Sequence, residues 1–155
     1  MYVFDNAPLS VLFKNYYRGR FPTLWDLFDQ MVGNGQLVST REVKREIENS
    51  SIEDLRTWAD ANPTIFTVPT AAEGAAVAQI YAIQHFQQNI ERQKLLKGGF
   101  IADPFVVAKA MSDGLTVVTM ELIKPNAAKI PNICQHFNVP CLTLEEFMAA
   151  EGWQF

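Results

Sequence analysis

Four acidic residues of this sequence stand where a folded chain could use them together. Asp5 and Glu121 each follow an apolar run rich in β-branched or aromatic residues. A central strand of a parallel sheet is apolar on both faces, so a charge first becomes tolerable at its carboxyl end. Open α/β sheets keep their ligands at that end. Asp103, at a predicted helix start, and Glu46, on a predicted helix, would have to reach the same place.

If these four carboxylates meet, they cannot all stay ionised without a cation. Hard, oxygen-seeking Mg²⁺ or Mn²⁺ is the natural choice for such a donor set. A metal held in this way activates water and neutralises charge during phosphodiester hydrolysis. The acids therefore predict a metal-dependent hydrolytic site, provided that the fold brings them together.

Asp103 has an alternative role that is purely structural, and Glu46 follows an acid, Glu42, that is assigned to structure. Asp103 precedes Pro104, a combination typical of a helix cap followed by Pro at the first helical position. Capping and metal binding are compatible, because a carboxylate has about four lone-pair sites. Glu42 is assigned to structure, as the last residue of a capping box that begins at Ser39. Glu46 lies one turn further on, at the edge of the buried helix face.

Predicted strands alternate with predicted helices along the whole sequence. This alternation predicts an α/β fold, a three-layer α/β/α domain around a small parallel sheet of about five strands. Asp5 and Glu121 become neighbours if the connections change direction between the first and fourth strands. The predicted strands are residues 1–5, 36–39, 64–68, 115–119 and 139–142.

Helix starts are predicted from four capping patterns, which begin at Ser39, Ser51, Thr70 and Thr143. The first helix is expected from Leu9 to about Tyr17. The pattern from Thr70 predicts one long helix that continues to about Lys97 and carries His85 as a packing or surface residue. The other helices are predicted at residues 24–32, 105–113 and 131–137.

Composition limits the class of protein. A length of 155 residues predicts a single domain, 1–155, and 48% hydrophobic with 19% charged residues is typical of a globular protein. Neither a signal-peptide pattern nor an apolar run approaching roughly 18 residues is present, so we expect no membrane association. Cys134 and Cys141 are predicted to be buried thiols of a cytoplasmic protein. The net charge of −4 argues against a nucleic-acid coat protein but leaves a nucleic-acid enzyme open.

A basic and aromatic segment follows the first strand, and no acid occurs between Asn6 and Trp25. One interpretation is a loop with packed rings and solvated cations. The other is a strip that contacts phosphates and stacks bases, as suits single-stranded RNA. The candidate substrate-binding cations are Lys14, Arg18 and Arg20, interleaved with Phe13, Tyr16, Tyr17 and Phe21. The aromatic tail, Trp153 to Phe155, either folds back or contacts a partner.

Taken in order, these segments resemble the PIN-domain nucleases over nearly the whole chain. The resemblance is carried by Val3-Phe4-Asp5-Asn6, Ser39 to Ile47, Ala102-Asp103-Pro104 and Val117 to Glu121, and by the segment from Ile130 to Cys141. The sequence looks most like the uncharacterised PIN-like proteins found as toxins in bacterial toxin–antitoxin pairs, related to VapC-type ribonucleases.

The resemblance implies a PIN-like fold and a metal-dependent endoribonuclease that acts as a toxin. By position, Asp5, Glu46, Asp103 and Glu121 match the family's catalytic, metal-binding acids. Asp5, Asp103 and Glu121 would hold Mg²⁺ or Mn²⁺, and Glu46 would complete the cluster or orient water. The implied partners are RNA as substrate, a cognate antitoxin protein and a second copy in a homodimer.

Two alternatives come from other classes. A PIN-like interaction module with a silent site is suggested by Asn6-Ala7, where PIN proteins commonly carry a Thr-Asn or Ser-type pair, and by Glu121, where they usually carry Asp. A phosphotransfer fold of the haloacid-dehalogenase or receiver type also starts with a strand and an Asp. The former needs a second Asp two positions later, where this sequence has Ala7.

Overall fold

The computed structural model describes residues 1–96 and 101–155. Its centre is a five-stranded sheet in which every pair is parallel, in the order β3-β2-β1-β4-β5. The predicted α/β architecture with about five parallel strands is confirmed. The strands are β1 Tyr2–Phe4, β2 Leu37–Thr40, β3 Phe66–Thr67, β4 Thr116–Val118 and β5 Cys141–Leu142.

Helices connect all consecutive strands, as parallel pairing requires. No helix in the described ranges is long and apolar enough to cross a membrane. The helices are α1 Asn6–Asn15, α2 Pro22–Gly33, α3 Arg41–Glu48, α4 Glu53–Ala61, α5 Ala71–Tyr81, α6 Gln84–Leu96, α7 Asp103–Asp113, α8 Ile130–His136 and α9 Leu144–Ala150, with a 3₁₀ turn at Pro63–Ile65.

Both faces of the central strand β1 are covered. The rings of Tyr2 and Phe4 point to one face and pack edge-on against Phe147 of α9, with centroid distances of 4.8 and 5.1 Å. Val3 points to the opposite face, because successive strand residues alternate, and its side chain is fully buried. The layered arrangement therefore follows from the apolar residues of one three-residue strand.

The carboxyl end of β1 is tied to both neighbouring strands. The Ser39 hydroxyl of β2 donates a hydrogen bond to the Phe4 carbonyl (2.7 Å). On the other side, the Asp5 amide donates to the Val118 carbonyl at the end of β4 (3.0 Å). These two bonds fix the backbone of Asp5 between the ends of β2 and β4.

Two of the four predicted capping boxes form. Thr70 and Thr143 each accept from the third residue of their helix, and Glu73 and Glu146 reach back to the cap. The prediction at Ser51 is wrong, because α4 is preceded by Ile52 and has no side-chain cap.

The prediction at Ser39 is also wrong by one residue. Thr40 caps α3 and accepts from the Val43 amide (3.2 Å), while the Ser39 hydroxyl is used by β1. Glu42 still has a structural role, but its partner is the Arg41 guanidinium (2.9 Å). Ser39 is lost as a cap because β2 continues through Thr40, which pairs with Thr67 of β3.

The single long helix predicted after Thr70 is wrong, since it is divided into α5 and α6. The break lies at Ala82 and Ile83, where the Ile83 amide bonds the carbonyl of Ile80 instead of one four residues back. The Gln87 side chain then donates to the exposed Tyr81 carbonyl (2.9 Å). The basic end of the predicted helix, at Lys97, lies outside the described residues.

Helix α7, which precedes β4, begins and ends close to its predicted bounds. It ends at Gly114, whose φ of +66° is the left-handed conformation that favours glycine. The first helix, α1, begins at Asn6, three residues before its predicted start. Asp5 thereby becomes the residue that joins β1 directly to a helix.

At the end of the chain, the tail folds back in part. Trp153 is buried and packs edge-on against Phe147, with a centroid distance of 5.2 Å. Phe155 remains 60% exposed. Of the two interpretations of the aromatic tail, folding back is confirmed for Trp153.

Candidate functional site

Asp5 lies at the carboxyl end of β1, the strand at which the connections change direction. The chain moves from β1 to β2 and β3 on one side, whereas β4 and β5 lie on the other side of β1. The prediction that the first and fourth strands lie next to each other is confirmed. Ligands of open α/β sheets bind in the crevice at such a switch point, and the Asp5 side chain there is only 6% exposed.

Glu46 is joined to this place through Asn6. The Asn6 amide donates to Glu46 Oε2 (3.4 Å), and the Ser10 hydroxyl, one helical turn later, donates to Asn6 Oδ1 (3.1 Å). Glu46 is buried, with 8% of its surface exposed, as its place on the helix wheel predicted. Asn6, the residue that follows Asp5, thus links the end of β1 to Glu46 of α3.

On the β4 side, Thr119 links Asp5 with Glu121. The Thr119 hydroxyl donates to Asp5 Oδ2 (3.4 Å) and accepts from the Glu121 amide (3.3 Å). Glu121 Oε2 in turn accepts from the amide of Ile130, the first residue of α8 (3.0 Å). Part of the Glu121 carboxylate therefore holds a helix start, a role that the sequence did not reveal.

Asp103 comes to the same edge of the sheet by way of α7. This helix packs across β1, β2 and β4 and ends just before β4 begins. It must therefore run against the strands, which places its first residue, Asp103, at their carboxyl edge. Asp103 is 3% exposed, and its Oδ2 accepts from the Asn89 amide (2.8 Å).

The capping role predicted for Asp103 is wrong. Ala102 is the cap residue, Asp103 is already the first helical residue, and no side chain caps this helix. The Phe105 and Val106 amides both bond the Ala102 carbonyl.

Asn89 is a site residue that sequence reasoning missed. It lies within the polar part of α6, yet only 3% of it is exposed, and its Oδ1 has no hydrogen-bond partner in the described part of the chain. The available signal was its position between Phe86 and Ile90 on the apolar face of the helix, both of which are buried. Its amide fixes the orientation of the Asp103 carboxylate.

The carboxylates at this edge of the sheet are the oxygen donors that Mg²⁺ and Mn²⁺ prefer. Within residues 1–96 and 101–155, no group of three or more His, Cys, Asp or Glu side chains is arranged to hold a metal. The four predicted ligands therefore do not form one closed cluster there. Mg²⁺, however, is commonly held by one or two carboxylates, with water and substrate phosphates completing its shell. Asp5 and Glu46, linked by Asn6, fit that requirement in chemistry.

The predicted cations Lys14, Arg18 and Arg20 are exposed but not close to the acids. Helix α1 begins beside Asp5, and nine residues of helix place Lys14 about 14 Å further along its axis. Arg18 is held by Asp29 through two hydrogen bonds of 2.8 and 3.3 Å. The acidic edge and the basic segment are thus two separate regions.

A cavity of about 310 Å³ adjoins Glu121 and contains both cysteines. Both thiols are free, and Cys134 is buried as predicted, whereas Cys141 is only half-buried. A hydrogen bond from Cys134 lowers the pKa of Cys141, and that bond together with burial raises the pKa of Cys134. Burial and the negative charges of Glu146, Glu121 and Asp5 oppose this lowering of the pKa of Cys141.

We expect Cys141 to react with iodoacetamide faster than Cys134, because it is more exposed and its thiolate is stabilised. Peptide mass spectrometry of the native chain after brief alkylation at pH 7.5 measures the ratio directly. Alkylation of the unfolded chain, in which the two thiols should react alike, is the control. Equal labelling of both cysteines in the native chain would contradict the assignment.

His85 lies on the surface, as expected. Its imidazole is exposed, contacts the Phe86 ring and makes a hydrogen bond with the Ala127 carbonyl (3.1 Å). No metal-binding group within the described ranges includes it.

Comparison with known proteins gave one family and a distant structural likeness. A search of characterised proteins by sequence found no match. Among solved structures, the chain aligns with one from the "Crystal structure of VapBC2 from Rickettsia felis bound to a DNA fragment from their promoter", at 12% identity and a TM-score of 0.44. The alignment covers 92% of this chain and 97% of that one. A family model described as "Domain of unknown function (DUF4411)" matches residues 2–155. The chain therefore belongs to the DUF4411 family.

Proposed function

We propose that this protein is a metal-dependent endoribonuclease and the toxin of a type II toxin–antitoxin pair. The observation that carries the proposal is the buried carboxylate of Asp5 at the switch point of the parallel sheet, with Glu46 and Asp103 buried on α3 and α7, the helices that pack against the neighbouring strands. Burial of ionisable groups is costly, and side chains of this kind concentrate at functional sites. A Mg²⁺ or Mn²⁺ ion held by Asp5 and Glu46 would offset the charge of these buried acids.

Asp5 is the principal metal-binding residue in this proposal, with Glu46 as its neighbour through Asn6 and Asp103 and Glu121 at the same edge. When bound, the ion supplies an activated water and neutralises charge on the phosphodiester. Three residues hold the carboxylates in place through hydrogen bonds: Asn6 on Glu46, Thr119 on Asp5 and Asn89 on Asp103. Such supporting residues commonly change metal affinity or activity about 10–100-fold when they are replaced.

The partners follow from the sequence resemblance to PIN-like toxins. They are a cytoplasmic RNA as substrate, an antitoxin protein that blocks the acidic edge, and a second copy of the chain. The exposed Leu122 and Ile123, beside Glu121, give a partner apolar surface close to the site.

The test is cleavage of a labelled single-stranded RNA by the purified chain with MgCl₂, MnCl₂ or EDTA. We expect cleavage with either metal and none with EDTA. Absence of cleavage with both metals would favour a silent interaction module instead. Cleavage that EDTA leaves unchanged would contradict the proposed metal dependence.

A further inference from the structure

A second cavity lies away from the acidic edge. It has a volume of about 550 Å³ and opens between the end of α1, the start of α2 and α4. This volume is typical of sites that hold a small molecule or part of a larger ligand. Five aromatic side chains line it, namely Phe13, Tyr16, Tyr17, Trp25 and Trp58.

The inner rings of this aromatic cavity are fixed. Phe13 contacts Trp25 and Trp58 with centroid distances of 4.8 and 5.2 Å, and all three side chains are buried. The Trp25 indole N–H donates to the Tyr16 carbonyl (2.7 Å), which sets the orientation of its ring. The cavity is therefore preformed, and a ligand need not pay to order its walls.

The rim of the cavity is built for a flat ligand. Tyr17 is 65% exposed, an unusual position for a ring that could have packed into the adjoining core. The Arg18 guanidinium lies 4.2 Å from the Trp25 ring centroid and is held in place by Asp29. Tyr17 and the guanidinium plane both offer faces on which a further planar ring can stack.

The charges around the cavity favour a nucleotide over an aromatic peptide. Lys14 and Arg20 are exposed on the same segment as Tyr17, and no acid occurs between Asn6 and Trp25. Such cations attract phosphates. At the wall of the cavity, the exposed Asp54 carboxylate can accept a hydrogen bond from the amino group of a base, as Asp does with cytosine.

We propose that the aromatic cavity binds a base of single-stranded RNA outside the cleavage site. The inference rests on the proposed function only for the identity of the polymer as RNA. Bases of single strands are recognised by stacking on aromatic rings or on Arg, together with hydrogen bonds to their edges.

The experiment uses fluorescence anisotropy to measure how the full chain binds a labelled 12-nucleotide oligocytidine in the presence of EDTA. A gel verifies that the RNA stays intact. We expect Tyr17→Ala to weaken binding about tenfold and Tyr17→Phe to stay within about twofold, since one stacked base contributes roughly that much. An abasic oligomer of equal length should bind about tenfold more weakly than oligocytidine. Phe155→Ala, at an exposed ring elsewhere, is the matched control and should have no effect.

Equal binding by wild type and Tyr17→Ala, or by the abasic and cytidine oligomers, would overturn the proposal, since phosphate attraction alone would then explain the affinity. Binding of an aromatic peptide at this cavity, without any binding of the RNA, would also overturn the proposal. Because the assay needs no metal and no cleavage, its outcome is independent of the test of the nuclease function. Because Tyr17 is exposed, we expect its variants to melt at the same temperature as wild type. This measurement verifies that the variants are folded.

Discussion

Replacement of Asp5 by Asn is expected to reduce metal-dependent RNA cleavage at least about a hundredfold. Loss of a residue that merely supports a metal ligand can cost about 10–100-fold, and Asp5 is proposed to be a ligand itself. Asn keeps the size of the side chain but removes its charge, and its carbonyl oxygen can still accept from the Thr119 hydroxyl. The measurement is the initial rate of cleavage of a labelled RNA with MnCl₂.

The matched control for Asp5→Asn is Asp26→Asn, the same change at an exposed acid of α2. It should cleave as fast as wild type. Circular dichroism and thermal melting verify that Asp5→Asn is folded. A rate for Asp5→Asn equal to that of wild type would remove this residue from the mechanism.

Replacement of Glu73 by Ala is expected to lower the free energy of unfolding by about 3 kcal/mol. Glu73 on α5 and Lys109 on α7 form an ion pair of 3.3 Å, and their side chains are only 4% and 7% exposed. Removal of the acid leaves the buried ammonium paired with Asp113, whose carboxylate is 44% exposed. Urea denaturation followed by circular dichroism measures the loss.

Glu53→Ala, at an exposed acid in the first turn of α4, is the control and should change stability by less than about 0.5 kcal/mol. The double variant Glu73→Ala with Lys109→Met should recover the part of the loss that comes from the ion pair, because no charge then stays buried without its partner. The part that comes from the hydrogen bond between the Thr70 amide and Glu73 stays lost in both variants. A loss below about 1 kcal/mol for Glu73→Ala would show that the pair does not hold α5 on α7.

This ion pair also matters for the site. Helix α7 carries Asp103 at its first residue, and α5 is the helix with which α7 has its largest contact. A weakened pair should therefore loosen the element that positions Asp103, not just lower stability.

The sequence predicted the general position of the acids because strand ends are easily read. Asp5 and Glu121 both follow short apolar runs, and the sheet places β1 beside β4 as required. Glu46 was readable from its place on the helix wheel beside Val43 and Ile47. These predictions depend on local periodicity and on the few topologies that parallel strands allow.

The remaining errors come from tertiary contacts. Whether Ser39 or Thr40 caps α3 depends on how far β2 pairs with β3, which no local pattern contains. The partners of the carboxylates, Asn89 on Asp103 and the Ile130 amide on Glu121, lie 14 and 9 residues away from them in sequence. Asn89 looks like an ordinary polar surface residue until α6 is packed against α7.

The central claim is that Asp5 and its neighbouring carboxylates bind a divalent ion, and calorimetric titration of the chain with MnCl₂ tests it most directly. We predict saturable binding by wild type and by Asp26→Asn, and its loss in Asp5→Asn. Wild type that takes up no Mn²⁺ at millimolar concentration, or an Asp5→Asn variant that binds as well as wild type, would contradict the account.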